Sequence, residues 1–268
     1  VRIRRGGTAT ALYGLEWLLK AATVVFMIAP VLLVVALSFS DQRTMAFPPD
    51  GWGTRQYADL FGSGYWLASV WESFLVAVPT AVLATVVGVP SVLAFERSRL
   101  PGKTLLRVLG VAPLVLPGVA YAVALYAFYA DLHLIGSVAG VILADTVLAL
   151  PFVILVVGAG LRRIPVDLEL MAMSLGASRT RATVGITLRL LAPSIAAAAV
   201  LGFVTTFDEA VLVNFLGGGE VVTLPKAIFD SFRTGINPLI TAIATLLMVL
   251  TGALMLLAAR LRAGGERP

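Results

Sequence analysis

Apolar residues along this chain gather into six long runs separated by short polar stretches, and that alternation predicts its architecture. The runs lie near 15–39, 69–94, 105–129, 138–161, 189–215 and 238–260. Each is long enough to cross ~30 Å of hydrocarbon at ~1.5 Å of rise per residue. A backbone inside a bilayer must satisfy its own hydrogen bonds, so runs of this length are expected as helices. Prolines interrupt several of them, at Pro79, Pro90, Pro113, Pro117 and Pro151. Neighbours in a bundle satisfy the freed carbonyls, and kinks for packing are the expectation there. No small-residue cleavage site follows the first run, which is read as a retained span. The interval 40–68 is a long loop with Phe47-Pro48-Pro49-Asp50-Gly51-Trp52 as its turn-rich centre. Tyr65, Trp66 and Trp71 then mark the headgroup level where the second span begins.

One polar interval has a pattern of its own. Between 165 and 193 the chain reads as helix, turn, helix. Pro165 suits a first helical position, and Asp167 and Glu169 fall in the first turn, where the helix dipole favours negative charge. Leu168, Met171, Ala172 and Leu175 share one face at helical spacing. Gly176 supplies a residue able to take positive φ and stop the helix. Beyond Ala177, Ser178 is placed to cap a second helix, which carries Arg179 and Arg181 and runs through Ile186 and Leu188 into the fifth span. Residues alone leave two roles open for this hairpin: a docking element, or a cover for its own bundle at the interface.

Composition fixes the class. With 59% hydrophobic and 13% charged residues and a mean hydropathy of +0.96, the chain is an integral membrane protein of all-α type. It has no cysteine, which excludes disulfides and thiolate metal sites. The net charge of +5 is spread over short loops, so it points to membrane topology rather than nucleic acid. Fifteen basic residues fall on one side: Arg2, Arg4, Arg5; Arg97, Arg99, Lys103, Arg107; Arg162, Arg163, Arg179, Arg181, Arg189; and Arg260, Arg262, Arg267. The other side holds Arg43, Arg55, Lys226 and Arg233. By the positive-inside rule both termini and the hairpin are expected in the cytoplasm. The expected organisation is a cytoplasmic segment 1–14, one membrane domain over 15–260 with the hairpin loop at 162–188, and a cytoplasmic tail 261–268.

Catalytic chemistry is not visible in the sequence, and no catalytic or metal site is expected. His133, the single histidine, sits in a short loop near Asp131, where solvation is the simple account. Gly102-Lys103-Thr104 ends like a phosphate-binding loop, but Arg97 stands where the earlier glycine belongs. Gly217-Gly218-Gly219 lacks the lysine and the strand. ATP hydrolysis by this chain is therefore not expected. Ionisable groups inside spans are costly and mark functional sites by default. Glu72, Asp145, Asp208 and Glu209 bring carboxylates from three helices to a similar depth in the outer half. Such a set suits a cationic solute, with Asp208 the leading contact, Asp145 second, and Tyr121 and Phe207 as aromatic partners. The alternative is that Glu72 and Glu209 cap helix ends or pair with Arg43, Lys226 or Arg233. Glu16 and Lys20, at i,i+4 in the first span, are expected to pair with each other.

The hairpin resembles the EAA loop of permease subunits of ABC importers, whose pattern is Glu-Ala-Ala, three residues, Gly, nine residues, Ile-x-Leu-Pro. Gly176, Ile186 and Leu188 stand at that spacing and Ala172 matches the second alanine. Leu170 and Met171 depart from it, with Glu169 one place early, and Arg189 replaces the proline, although Pro193 matches a later one. The resemblance implies a six-span, MetI-like bundle whose hairpin is a coupling helix seated in a groove of an ATPase, with Leu168, Glu169, Met171, Ala172, Leu175, Gly176, Ala177 and Ser178 at that contact. It implies as partners a second homologous permease, two cytoplasmic ATPase subunits holding ATP and Mg, and an extracytoplasmic solute-binding protein, in a bacterial inner membrane and surrounded by its lipid.

Phe207-Asp208-Glu209-Ala210, Leu224-Pro225-Lys226-Ala227-Ile228-Phe229 and Asn237-Pro238-Leu239-Ile240-Thr241-Ala242 are similar to the carboxy-terminal third of spermidine/putrescine importer permeases. The 47–61 loop is similar to theirs too. Polyamine import is the expectation, with importers of iron, thiamine, 4-aminobutyrate or aminoethylphosphonate as alternatives in the same class. An autonomous channel or proton-coupled transporter is the alternative outside it.

Overall fold

Helices form where the apolar runs predict them, with two departures caused by prolines and by a pair of acids. The computed structural model describes residues 7–98, 101–235 and 237–264, which fold into twelve α-helices with one isolated β-bridge. Of the positive charges used to orient the chain, Arg2, Arg4, Arg5, Arg99 and Arg267 lie outside the described residues, as does the side chain of Arg262. The chain separates into two compact units. One holds residues up to Ser63 together with Gly235–Met248, and the other holds Gly64–Thr234 and residues from Val249 onward.

In the first unit, α1 (Gly7–Ser38) contains the first candidate span, Leu15–Ser38. Glu16 and Lys20 form the expected pair, with Nζ 2.5 Å from Oε1 on the exposed face. The loop after α1 folds onto itself rather than hanging free. The Gly53 amide donates to the Phe39 carbonyl (2.7 Å), and Asp41 donates to Gly51 (3.1 Å). A short helix that the turn-rich sequence hides, α2 (Arg55–Gly62), sends buried Gln56 back to the Ser40 and Gln42 carbonyls at 3.2 and 2.8 Å.

The second unit is built on three long helices: α3 (Gly64–Arg97), α6 (Val138–Arg162) and α9 (Arg189–Phe207). Val92, Val153, Val157, Leu161, Leu191 and Ala198 form the core where they meet. In lipid, apolar surface is no drive to association, so close packing must supply it, and small residues allow the approach. Gly88 is one: a Cβ there would lie 2.6 Å from Val153 Cγ1. A second core of Val76, Ala122, Val141, Ala144, Leu212 and Leu216 joins α3 and α6 to the shorter α5 (Gly118–Asp131) and α10 (Val211–Leu216).

The third run corrects the expectation of one continuous span over 105–129. It is two helices, α4 (Lys103–Val111, continued by a 3-10 turn through Val115) and α5, bent by 108°. Pro113 and Pro117 remove two amide donors within one turn's reach, and Leu116, held extended ahead of Pro117 at ψ 131°, cannot continue the helix. Among the described residues five helices are thus long and apolar enough to cross a membrane, and six if the bent pair counts as one span. At the fifth run, 189–215, the helix ends at Phe207 and breaks across Asp208-Glu209-Ala210 before α10. Glu209 Oε1 accepts the Val211 and Leu212 amides at 2.5 and 2.9 Å, capping α10. The two acids therefore stand at a helix junction and not inside a helix.

Two further helices follow α10. An amphipathic α11 (Leu224–Thr234) is anchored to α3 by the Leu224 amide donating to Ser73 Oγ at 2.8 Å. Asn237 Oδ1 accepts the Leu239 amide at 3.0 Å where α12 (Leu239–Gly264) begins. Of the three aromatic residues expected at the headgroup level, Tyr65 and Trp71 are exposed and Trp66 is buried.

Candidate functional site

The 165–193 hairpin forms as its residues predict, with small shifts. The first helix, α7 (Asp167–Ser174), begins two residues after Pro165. Gly176 takes φ +92°, and the Ala177 amide reaches back to the Ala172 carbonyl at 3.0 Å. That satisfies a carbonyl left over at the helix end, in a conformation a side chain with a Cβ rarely adopts. Ser178 caps the next helix, its Oγ accepting the Arg181 amide at 3.3 Å. This helix, α8 (Arg179–Ala182), runs through a π-helical segment (Thr183–Leu188) straight into α9. Residues Arg179–Phe207 thus make one span-length helix.

Burial divides the predicted face of α7 in two. Leu168 and Ala172 are half-buried against the bundle, as is Ala177 in the turn. Met171 and Leu175 point away, 62% and 90% exposed, and with Leu170 and Met173 they leave an apolar cap uncovered. Glu169 turns inward and is only 7% exposed. Its Oε1 accepts a hydrogen bond from Thr187 Oγ1 of the π segment and lies 3.8 Å from Arg97 Nε at the end of α3. Arg97 also donates through Nη2 to the Ile164 carbonyl (2.8 Å), and its own carbonyl accepts from Arg179 Nη2 (3.4 Å). Beside this cluster, Glu96 Oε1 pairs with Arg107 (2.9 Å) and Arg162 (3.1 Å). In the sequence Arg97 is a topological charge with no visible partner, and Thr187 carries no signal at all. Glu169 lies 18 positions from Thr187 and 72 from Arg97, so no local pattern links them and only the fold brings them together.

The proposed pathway residues fall into three settings. Asp145 of α6 is 1% exposed, and neither carboxylate oxygen has a hydrogen-bond partner among the described residues. Tyr121 packs beside it, its hydroxyl donating to the Ala144 carbonyl at 3.1 Å. Glu209 lies within electrostatic reach of Asp145, so these three residues share one neighbourhood. Asp208, at the end of α9, is exposed. Phe207 is buried in an aromatic cluster with Phe74 and Phe203, ring centroids 5.1 and 5.3 Å away. Glu72 is half-buried on α3 beside the Ser73 that holds α11, with Oε2 unpartnered among the described residues.

Comparison with known proteins places this arrangement. Residues 58–263 match the family described as binding-protein-dependent transport system inner membrane component. The putrescine transport system permease protein PotI of Escherichia coli K12 is 30% identical over 249 residues, 90% of this chain and 88% of the relative. The spermidine/putrescine transport system permease protein PotC of the same organism is 28% identical over 250 residues, 93% and 90% of the two chains. Among solved structures, a chain of a bacterial ABC transporter importing the acidic polysaccharide alginate superposes with a TM-score of 0.75. It covers 96% of this chain and 99% of that one at 13% identity. The methionine ABC transporter MetNI in an inward-facing conformation gives a TM-score of 0.61, covering 75% and 96% of the chains at 18% identity. These two structural neighbours are described as an importer of an acidic polysaccharide and a methionine transporter, so the shared fold carries no cargo information of its own. With its helical bundle, its hairpin and a match over most of its length, this chain belongs to the binding-protein-dependent transport system inner membrane component family, as a permease subunit of an ABC importer.

Proposed function

We propose that this permease forms half of a pore importing a polyamine of the putrescine or spermidine kind, and that its hairpin is the coupling element. The observation carrying the coupling role is the apolar cap of α7. Leu170, Met171, Met173 and Leu175 are exposed together at the tip of a hairpin whose inner side is pinned to the bundle. Contiguous apolar surface of that kind marks a protein contact, and the ATPase is the partner that an importer permease must meet. The hairpin and both termini then face the cytoplasm, as the distribution of Lys and Arg supports. The complex contains a second homologous permease, two ATPase subunits that hold ATP and Mg, and an extracytoplasmic binding protein. Hydrolysis belongs to those ATPase subunits and not to this chain, whose residues 15–260 act as one permease domain in a bacterial inner membrane.

Cargo identity is supported by the two polyamine permeases among the relatives. It is supported also by carboxylates at Asp208, Asp145, Glu209 and Glu72, since a protonated amine leaving water needs carboxylates or aromatic faces to replace its hydration. Tyr121, whose hydroxyl donates to the Ala144 carbonyl next to Asp145, is placed to supply such a face. Phe207 adjoins Asp208 in sequence but has its ring packed against Phe74 and Phe203. The test is reconstitution of the complete transporter in proteoliposomes with ATP inside the ATPase compartment. Putrescine or spermidine is expected to accumulate only with ATP and the binding protein present. A complex that assembles, hydrolyses ATP and moves some other solute but neither polyamine would remove the cargo assignment.

A further inference from the structure

We propose that Arg97 is the positioning residue through which both limbs of the hairpin grip α3. Chain connectivity ties the hairpin to only two of the three core helices, since it leaves α6 at Arg162 and enters α9 at Arg189. Helix α3 has no covalent link to it. Arg97, the last residue of α3, provides the link three times over. Its guanidinium donates to the Ile164 carbonyl on the strand of chain entering α7. It faces Glu169 in the middle of α7. Its backbone carbonyl receives Arg179 from the limb leaving the turn, a link that side-chain substitution leaves in place. The variants below therefore remove the first two links and the grip on Thr187 through Glu169. Glu169 in turn is held by Thr187 of the π segment, so one carboxylate joins α7, the base of α9 and the end of α3.

Burial makes this more than a surface pairing. The side chains of Arg97 and Glu169 are 14% and 9% exposed, where opposite charges are screened little by water. A single arginine bonding a backbone carbonyl while facing a carboxylate holds orientation as well as distance, which a lysine does not reproduce. Displacement of α7 by a partner is therefore passed to α3 directly, together with α6 and α9, as a rigid-body shift. Arg97's role rests on the hairpin being the ATPase-facing element.

The test compares Arg97→Met and Glu169→Gln with wild type in the complete reconstituted transporter, reading ATP hydrolysed per solute imported. Both variants are expected to raise that ratio about fivefold or more, the low end of typical coupling strengths, while the ATPase stays bound. Arg97→Lys is expected to fall between them and wild type. An unchanged ratio in both Arg97→Met and Glu169→Gln overturns the proposal. So does loss of assembly in both, since the clamp would then be a folding contact only. Leu175→Glu, on the exposed face, separates this outcome from failure of the coupling role. If Leu175→Glu leaves the ATPase bound and transport coupled, the docking assignment falls. If it releases the ATPase while Arg97→Met and Glu169→Gln stay tightly coupled, only the clamp is lost.

Discussion

Two carboxylates in this chain show how differently the same group is used at single-residue scale. Asp145 sits among Val141, Ala144 and the helices around them with both oxygens unpartnered among the described residues, an arrangement that costs stability. Among the described residues no hydrogen bond offsets that cost, and the proposed polyamine path would give the carboxylate a partner. Asp208 is exposed at the junction after α9, where a charge is inexpensive and free to meet solute. Its neighbour Glu209 is partly spent on capping α10. Asp208→Asn keeps the shape and removes the charge. Initial polyamine uptake below saturation is expected to fall by roughly three- to tenfold, because a partly solvated ion contact is worth less than a desolvated one. Assembly, checked by co-purification, is expected to be unchanged. Unaltered uptake would leave Asp208 without a part in the path.

Among elements, the hairpin was readable in advance and the third and fifth runs were not. Gly176 explains the first case, because a helix stop of that kind is written in one residue. Its φ of +92° strains any side chain, yet a Cβ there would meet open space. Gly176→Val therefore costs about 1–3 kcal/mol by backbone strain alone, and the bend absorbs it. Uncoupled hydrolysis or loss of the bound ATPase is expected, with the thermal midpoint of the helix bundle little changed; wild-type uptake by this variant would deny the turn its coupling role. The bend at Leu116 is not legible in the sequence because Pro113 and Pro117 look individually like Pro79, Pro90 or Pro151, which the long helices tolerate. What differs is two prolines four apart, a residue ahead of the second held extended, and Gly118 following. The end of α9 was masked by Val211-Leu212-Val213, which prolong the apolar run although Asp208 and Glu209 already supply a helix end and a cap. Inward-facing Glu169 was beyond reach, since its partners Arg97 and Thr187 come from distant turns of the chain.

On the scale of the Gly64–Thr234 unit, α3, α6 and α9 share one core packed closely enough to transmit displacement. Interiors packed to this density shift between discrete arrangements rather than deform gradually. Gly160, two residues before the end of α6, is where that closeness is greatest next to the hairpin. A Cβ at this position would lie 2.3 Å from Ser194 Oγ and 2.7 Å from Ser194 Cβ on α9. Rotating the serine relieves the first contact but not the second, so Gly160→Val must push α6 and α9 apart. Overpacking of this kind costs about 1–3 kcal/mol, and soluble domains of 150–250 residues lose about 2–4 °C per kcal/mol. A lowered midpoint is therefore expected for the purified transporter, and Ser194→Gly in the same chain is expected to recover most of it by vacating the contact. Separation of α6 from α9 also spreads the two limbs of the hairpin, so ATP consumed per solute is expected to rise in the single variant and return in the double. A midpoint lowered with coupling intact would mean that α6 and α9 need not move as one, and that the connection through α3 alone suffices.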